Sequence, residues 1–318
     1  MKIIGTGSAV PKKVVTNDML AEFLDTNDEW ITTRTGIRRR HLLTDENLVD
    51  LAIEAAKKAI ASSGVNPRDI DFLICSNVGN NYITPSMATI IEGAVGCECP
   101  CIDMNVACAG FIYAMDYADA YFVARGARNI LIVCAEEPTK FLDWMQRENS
   151  VLFGDGAGAV VVSRGNNLMA TRLRAVANKE VIIYRKRMEA TPYEAEGVNV
   201  DAVLKMNGRE VFRMAVKSSQ QDLNYVLEHA GVNAMDVDYY LLHQANQRII
   251  DAIQEGMGLP QKKFPTNIAE YGNTSSASIP ILLDEMNRAG RLRDGDILAM
   301  SAFGAGFVSG AALLRWSK

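Results

Sequence analysis

The chain has 318 residues, of which 48% are hydrophobic and 22% charged, as expected for a globular protein of one large or two medium domains. Its formal net charge of −5 argues against a nucleic-acid partner held by bulk positive charge. The apolar run at the start is too short for an export signal, and no stretch is long and apolar enough for a membrane span. We therefore expect a cytoplasmic protein with no nucleic-acid or membrane partner.

A repeated pattern organises the chain. At residues 63–73 a predicted helix ends at Gly64, a turn follows and an apolar strand begins; the pattern recurs at residues 230–240, an offset of 167. This order predicts the α/β class, with two related α/β halves that each contain a mostly parallel sheet and crossover helices. We place the halves at residues 1–165 and 166–318 and expect them to share one interface.

The six cysteines lie mostly in apolar stretches of a chain with no predicted export signal, so we expect free thiols rather than disulfides. Cys97, Cys99 and Cys101 form a C-x-C-x-C run. No histidine lies near this run in the sequence, and alternate residues of an extended strand merely share one face. We therefore expect no metal site.

Cys108 lies at an elbow where a predicted strand, residues 100–104, meets a helix whose apolar residues recur from Phe111 onward. The free amide groups and the positive dipole end of a helix N-terminus favour a thiolate, and predict a pKa below the usual value of about 8.5. This arrangement is typical of a nucleophile, although a buried structural cysteine fits the segment equally well. The offset of 167 carries Cys108 to Ser275, so two equivalent elbows are expected to meet near a pseudo-twofold axis.

We expect two segments between the elbows to have structural rather than catalytic roles. Gly154, Gly156 and Gly158 alternate before a β-branched strand and open no helix, so they predict a tight turn or a close backbone approach rather than a dinucleotide loop. Residues 164–200 are polar and irregular. We expect this segment to be a connector that carries one or two edge strands.

Two polar side chains of the second half are candidates to act with Cys108. His243 ends the apolar strand at residues 239–242, the edge where open α/β sheets place ligands, whereas His41 lies in a charged loop. The alternative is that His243 is a buried structural histidine whose hydrogen bonds are made within the core. Asn273 falls at the second elbow, where it is either a helix N-cap or an amide donor aimed at the same spot.

The loop at residues 301–307 joins two predicted strands and is rich in small residues. Backbone amides of such a loop can form an oxyanion hole together with the Cys108 amide. A tight hairpin without this role is the structural alternative.

Five ordered motifs closely resemble the β-ketoacyl-acyl-carrier-protein synthase III family of the thiolase superfamily. They span essentially the whole chain, at residues 28–38, 106–111, 152–158, 243–246 and 271–275. The resemblance implies a duplicated thiolase-like fold with a buried helix layer, a homodimer, and no metal or other cofactor. It also implies a reaction in which an acyl-CoA primer loads Cys108 and the acyl group condenses with malonyl-acyl-carrier protein. CoA and CO₂ are released, and the 3-oxoacyl product starts fatty-acid synthesis.

The same resemblance implies roles for individual side chains. His243 and Asn273 match the pair that holds the malonyl thioester and stabilises its enolate, and the amides of Cys108 and Ala305 match the oxyanion hole. Thr84 matches the position that closes the partner subunit's acyl pocket, where threonine in place of an aromatic residue predicts branched or slightly longer primers. The positions that match CoA and pantetheine contacts are Trp30, Arg34, Arg147, Phe212, Asn246, Arg248 and Phe303. The basic residues expected to dock the carrier protein are Arg213, Arg248, Lys262 and Lys263.

The sequence departs from the family pattern at two places. Ala305 stands where the family often has glycine, and Glu255 with Gly256 stand where relatives often carry docking lysines. The main alternative function is an acyltransferase or condensing enzyme of secondary metabolism, of polyketide or quinolone type, with the same Cys-His-Asn triad. A papain-type hydrolase uses these residue types in the same chain order but lacks the duplication. A non-catalytic acyl-binding protein would be expected to lose a member of the triad.

Overall fold

The structure is a computed structural model that describes residues 1–184 and 203–317. The strands of these ranges are β1 (Lys2–Ala9), β2 (Lys13–Thr16), β3 (Arg39–Leu42), β4 (Phe72–Ser76), β5 (Cys101–Met104), β6 (Asn129–Glu136), β7 (Gly156–Ser163), β8 (Leu168–Asn178), β9 (Ile182–Ile183), β10 (Lys205–Met206), β11 (Tyr239–Leu242), β12 (Ile297–Gly304) and β13 (Gly306–Arg315). The helices are α1 (Asn17–Ala21), α2 (Asp28–Thr35), α3 (Leu48–Ser63), α4 (Met87–Val95), α5 (Gly110–Arg125), α6 (Arg147–Ser150), α7 (Gly208–Ala230), α8 (Gln247–Met257), α9 (Ile268–Tyr271) and α10 (Ser278–Arg288).

Two mixed sheets form the frame of the fold. The first has the strand order β1-β7-β6-β4-β5, in which β4 pairs parallel with β5 and β6, whereas β7 pairs antiparallel with β6 and β1. The second has the order β11-β12-β13-β8, in which β11 and β12 pair parallel and the other pairs are antiparallel. The parallel pairing that we expected is therefore confined to strands joined through helices. Ala305 alone separates β12 from β13, and such a short connection joins only antiparallel neighbours.

A central helix layer lies between the two sheets, as the thiolase-like fold implies. Helices α5 and α10 fill this layer and share a core with Ile74 and Ile132 of the first sheet and Met300 of the second. Leu73 and Val133, on the opposite face of the first sheet, pack with α3 and α4. Helices α7 and α8 cover the outer face of the second sheet in the same way. The central strands are buried on both faces, which explains their nearly continuous apolar runs.

The repeated helix, turn and strand are present in both halves. Helices α3 and α7 end at Gly64 and Gly231, whose φ angles of 70° and 65° are left-handed and favour glycine. A 3₁₀ turn follows in each copy, at Pro67–Asp69 and Ala234–Asp236, before β4 or β11 begins. The prediction for this pattern is confirmed.

The two elbows meet, but their register differs by one residue from the predicted one. Each elbow opens on a residue with positive φ, Ala107 at 46° and Ser275 at 51°, and a 3₁₀ turn then leads into α5 or α10. Ala107 therefore corresponds to Ser275, and Cys108 corresponds to Ser276. The offset thus grows from 167 at the earlier 3₁₀ turns to 168 at the elbows.

The segment between the halves carries edge strands, as predicted. Strand β8 forms one edge of the second sheet, and β9 pairs with β10 in a small two-stranded sheet. The rest of the predicted connector, residues 185–200, lies outside the described residues. Every strand of the first sheet precedes residue 164 and every strand of the second follows it, while the division at residue 165 stays a prediction. Within the described ranges, none of the helices has the length and apolar character needed to cross a bilayer.

Candidate active site

One cavity of about 580 Å³ collects residues from both halves of the chain. Cys108, Glu136 and Asn273 line its inner part, and the more exposed Trp30 and Arg34 line its outer part. The predicted site residues in its wall are Cys108, Asn273, Ala305, Trp30, Arg34, Phe212, Asn246, Arg248 and Phe303.

Cys108 lies in the 3₁₀ turn that precedes α5, with its Sγ 3.3 Å from Ser275 Oγ. Burial raises the pKa of this thiol to about 12; the hydrogen bond from Ser275 opposes the rise, and the negative charge of Glu136 adds to it. The prediction that the helix N-terminus lowers this pKa is wrong for the unliganded protein, because the loss of hydration outweighs it. The Cys108 side chain is therefore a neutral thiol at rest.

His243 follows β11 directly and is 2% exposed. Its Nδ1 lies 2.7 Å from Ser278 Oγ, an oxygen that accepts a hydrogen bond from the Gln244 amide at 3.3 Å. The Ser278 hydroxyl proton is thus free to be donated to Nδ1, and the neutral ring then carries its own proton on Nε2. Burial lowers the pKa of His243 to about 3, so the imidazole is neutral at physiological pH. The ring packs edge-on against Phe303, which lines the cavity.

Asn273 lies just before the second elbow, where Thr274 rather than Asn273 occupies the capping position of the 3₁₀ turn. The role of Asn273 as an amide donor stays a prediction. Its Oδ1 accepts the Ser275 amide at 2.9 Å, which leaves Nδ2 as the donor of a side chain that lines the cavity. Its backbone pairs with the Leu152 carbonyl at 2.8 Å and the Gly154 amide at 3.1 Å. A Cβ on Gly154 would lie 2.2 Å from the Tyr271 carbonyl oxygen, which confirms the predicted close backbone approach.

The hairpin between β12 and β13 brings backbone amides close to Cys108. A Cβ on Gly304 would lie 2.7 Å from the Cys108 nitrogen, so glycine permits this approach. Ala305 lines the cavity, and the left-handed φ of the hairpin, 137°, falls on Gly306 rather than on Ala305. Alanine is therefore compatible with the backbone at position 305. The role of its amide in an oxyanion hole stays a prediction.

Trp30 at the outer end of the cavity contacts two arginines. The guanidinium carbons of Arg34 and Arg147 lie 4.6 and 4.7 Å from the centroid of its ring. Arg147 also donates to the Asp25 carbonyl at 2.6 Å. A planar aromatic ring beside two cations is chemically suited to a nucleotide base that carries phosphates.

The structure does not place Thr84 in this cavity. It is exposed and follows Tyr82 and Ile83, which are 53% and 80% exposed. Within one chain this segment is exposed to solvent and lies outside the cavity that contains Cys108. A role for Thr84 in the acyl pocket therefore requires a second copy of the chain.

The basic residues predicted to dock a carrier protein lie outside the cavity, except Arg248. Arg213 is exposed on α7 and pairs with Glu210 at 2.6 Å. Lys262 is exposed, whereas the ammonium group of Lys263 donates to the backbone carbonyls of residues 235 and 237. The Lys263 ammonium group therefore already has hydrogen-bond partners within the chain.

Sequence reasoning missed Glu136, which ends β6 and is 1% exposed. Its Oε1 accepts the Ser276 hydroxyl at 2.5 Å, and its Oε2 accepts the Val78 amide at 3.2 Å. Burial raises the pKa of this carboxyl to about 7, although its hydrogen bonds favour the charged form. The signal that singled out His243, a polar residue at the carboxyl end of an apolar strand, would also have found Glu136.

The remaining wall of the cavity is mainly apolar and includes Val78, Pro138, Phe141, Ile182, Leu204 and Met206. In the part of the chain that the structure describes, no group of three or more His, Cys, Asp or Glu side chains is placed to hold a metal ion. A thiol beside neutral amide and imidazole donors in an apolar cavity can accept an acyl group and stabilise an enolate. Fold and site together define a thiolase-like acyltransferase.

Comparison with known proteins agrees with this class. The family model 3-oxoacyl-[acyl-carrier-protein] synthase III matches residues 102–177, and its C-terminal counterpart matches residues 227–316. The β-ketoacyl-[acyl-carrier-protein] synthase III of Clostridium acetobutylicum is 39% identical over 322 residues, which cover 100% of this chain and 99% of the relative. The chain belongs to the 3-oxoacyl-[acyl-carrier-protein] synthase III family.

Solved structures support the fold assignment. The 3-oxoacyl-[acyl-carrier-protein] synthase III of Aquifex aeolicus superposes with a TM-score of 0.93 at 39% identity, covering 99% of both chains. The priming β-ketosynthase of the R1128 polyketide biosynthetic pathway superposes with a TM-score of 0.92 at 32% identity, covering 100% of this chain and 96% of the other. The predicted thiolase-like fold and the family resemblance are confirmed.

Proposed function

We propose that this chain catalyses the decarboxylative condensation of an acyl-CoA primer with malonyl-acyl-carrier protein, the step that initiates fatty-acid synthesis. The observation that carries the proposal is the convergence of Cys108, Asn273 and Phe303 in the wall of one cavity, with the His243 ring in edge-on contact with Phe303. The relatives named β-ketoacyl-[acyl-carrier-protein] synthase III, at 39% and 40% identity over nearly the whole chain, support it.

In the first half-reaction Cys108 takes the acyl group from CoA. Its Sγ attacks the thioester carbonyl, and the amides of Cys108 and Ala305 hold the oxyanion until the bond to the CoA sulfur breaks. CoA lies with its adenine on Trp30 and its phosphates near Arg34 and Arg147. Adenine therefore competes with the guanidinium groups that contact the Trp30 ring in the unliganded chain. The wall that would contact pantetheine consists of Phe212, Asn246, Arg248 and Phe303.

In the second half-reaction the malonyl thioester carbonyl accepts hydrogen bonds from Asn273 Nδ2 and His243 Nε2. Loss of CO₂ then creates an enolate oxygen that the same donors stabilise, and the enolate carbon attacks the acyl-Cys108 carbonyl. The bond from that carbonyl carbon to Cys108 Sγ then breaks, which releases the 3-oxoacyl-carrier product and returns Cys108 to its free form. Burial holds the pKa of His243 at about 3, so the ring is a neutral donor and does not protonate the carbanion. No resident metal or cofactor takes part in the proposed scheme, in which CoA and carrier-protein thioesters are the substrates.

We place the enzyme in a homodimer in the cytoplasm. The outer edge of β5 has no neighbour in the five-stranded sheet, and the exposed segment with Tyr82 and Ile83 precedes Thr84, so both features suit contact with a second copy. The six cysteines are free thiols, which suits a reducing compartment. The carrier protein would contact the exposed Arg213, Arg248 and Lys262, whereas the engaged Lys263 is a weaker candidate.

Mass spectrometry of the intact protein tests the proposal. The chain is incubated with a panel of acyl-CoAs beside Cys108→Ala, and malonyl-acyl-carrier protein is then added. We expect an acyl adduct that requires Cys108 and is discharged as a 3-oxoacyl-carrier product. Failure of every acyl-CoA to load the wild-type protein would overturn the proposal.

A condensing enzyme of secondary metabolism is the second candidate. The similarity to the priming β-ketosynthase of a polyketide pathway, at 32% identity over the whole chain, favours it. This candidate loads Cys108 equally well but uses another acceptor. An acyl adduct that malonyl-acyl-carrier protein of fatty-acid synthesis leaves untouched, and that a polyketide carrier discharges, would decide for it.

A further inference from the structure

The carboxyl group of Glu136 takes no part in the steps above, although it lines the same cavity as the nucleophile. Ser275 stands between them. Its Oγ lies 3.3 Å from Cys108 Sγ, and the Ser275 side chain is also among the groups that lower the pKa of the Glu136 carboxyl. Glu136 and Ser275 are 1% and 5% exposed, so bulk water has little access to this path.

Further hydrogen bonds hold the carboxyl group in place. Ser76 Oγ donates to Ser276 Oγ at 3.2 Å, which leaves the Ser276 proton for Glu136 Oε1. The Val78 amide holds the other carboxyl oxygen at 3.2 Å. These two hydrogen bonds hold both carboxyl oxygens in a fixed orientation beside the elbow that carries Ser275.

The Ser275 hydroxyl has one proton and two lone pairs. When this proton points to Glu136, a lone pair of the same oxygen is free to accept the proton of the Cys108 thiol. Ser275 therefore links the two groups, because its Oγ contacts Sγ at 3.3 Å and its side chain influences the pKa of the carboxylate.

We propose that Glu136 accepts the proton of the Cys108 thiol through the hydroxyl of Ser275 while the acyl group is loaded. The Cys108 proton passes to Ser275 Oγ as the Ser275 proton passes to the Glu136 carboxylate. The S–C bond to the acyl carbonyl forms, the bond from that carbon to the CoA sulfur breaks, and the proton returns through Ser275 to the CoA thiolate. This assignment rests on the proposed function, since it concerns the loading half of that reaction.

His243 is poorly suited to this task. In the tautomer set by Ser278 its Nε2 already carries a proton, and Nδ1 is occupied by the Ser278 hydroxyl. The Glu136 carboxylate is a proton acceptor of suitable strength, because burial raises its pKa to about 7. It can therefore both take and return a proton at neutral pH.

The ionisable groups that interact with Glu136 are thiols rather than cations. They are Cys75 on β4, Cys134 on β6 and Cys108 itself. The next residue, Glu137, has a similarly raised pKa of about 7, but it interacts with Asp155 and Lys140 and does not line the cavity. Glu137 is therefore a matched control.

Single-turnover loading, followed as CoA release under excess enzyme, tests the relay. We expect Glu136→Gln to slow loading by about 100-fold, the lower end of what a positioned proton acceptor contributes, and Glu137→Gln to change it by less than about threefold. The wild-type rate should rise with pH and level off above about pH 7, as Glu136 ionises. In Glu136→Gln this inflection should vanish, and Glu136→Asp should restore part of the rate.

Ser275→Ala should slow loading as much as Glu136→Gln, and the double variant should lose little more, because both changes interrupt one path. Decarboxylation of malonyl-carrier protein uses His243 and Asn273, so it should stay within about threefold of wild type in the two single variants.

Wild-type loading with an unchanged pH profile in Glu136→Gln would overturn the relay. If that variant fails to fold, as judged by circular dichroism, normal loading by Ser275→Ala overturns it instead. If the wild-type protein itself never loads, the proposed function fails and the relay fails with it.

Discussion

At the scale of single residues, burial controls the protonation of the site. It raises the pKa of the Cys108 thiol to about 12 and lowers the pKa of His243 to about 3. The resting pair is therefore a neutral thiol and a neutral imidazole, unlike the thiolate and imidazolium of papain-like hydrolases. This difference also argues against the papain-type alternative.

We expect no Cys108 thiolate at equilibrium between about pH 6 and 9, because a raised pKa keeps the thiol protonated until strongly alkaline pH. The ultraviolet thiolate absorbance of the wild-type protein, minus that of Cys108→Ala, measures this directly. The other cysteines cancel in the difference. A titration centred near neutral pH would contradict the expectation.

Ser278→Ala should reduce malonyl decarboxylation by about fivefold, because the imidazole loses the hydrogen bond that sets its tautomer, a contact worth about 1 kcal/mol. Loading of Cys108 should change little, because it does not use His243. Ser301→Ala is the control, since it removes a buried hydroxyl that has no partner among the described residues. Equal losses in both half-reactions would indicate a general structural effect instead.

At the scale of elements, the close approach of β12 to the first elbow depends on Gly304. The added Cβ in Gly304→Ala would lie 2.7 Å from the Cys108 nitrogen and 3.0 Å from the Ala107 Cβ. We expect a loss of about 1 to 3 kcal/mol in the free energy of unfolding and at least about a 100-fold loss of loading rate, since the amides of Cys108 and Ala305, which we propose as oxyanion donors, would move apart.

The control for this change is Gly93→Ala on α4, where a Cβ meets no atom within 4 Å. It should raise the free energy of unfolding by about 0.5 to 1 kcal/mol, since alanine is the better helix former. Urea denaturation and single-turnover loading measure both variants. Gly304→Ala with wild-type loading would show that the hairpin tolerates a shift.

Local pattern in the sequence predicted the elements that depend on neighbouring residues. The endings at Gly64 and Gly231, the strand before His243 and the elbow at Cys108 follow from periodicity and turn chemistry. The antiparallel pairing of β7 with β6 and β1 was not predicted, because pairing depends on how distant strands arrange. The raised pKa of Cys108 was missed for the same reason, since its burial and its neighbours Ser275 and Glu136 come from distant segments.

At the scale of the whole molecule, the exposed segment that contains Thr84 predicts a site shared between two copies of the chain. In Thr84→Phe we expect loading from isobutyryl-CoA to fall by about tenfold or more, because the ring fills the partner's acyl pocket, while loading from acetyl-CoA stays within about twofold. Competition between the two primers, read by intact-protein mass spectrometry, measures the ratio. An unchanged ratio would remove Thr84 from the acyl pocket.

The two elbows, opened by Ala107 and Ser275 with nearly the same backbone angle, have a consequence for how such a chain diverges. Two identical subunits placed about a true twofold axis would have to carry the same side chain at both elbows. Fusion into one polypeptide removes that restriction. One elbow here keeps the thiol at Cys108, and the corresponding Ser276 instead holds the carboxyl of Glu136. Such a difference between corresponding positions is not available to two identical subunits.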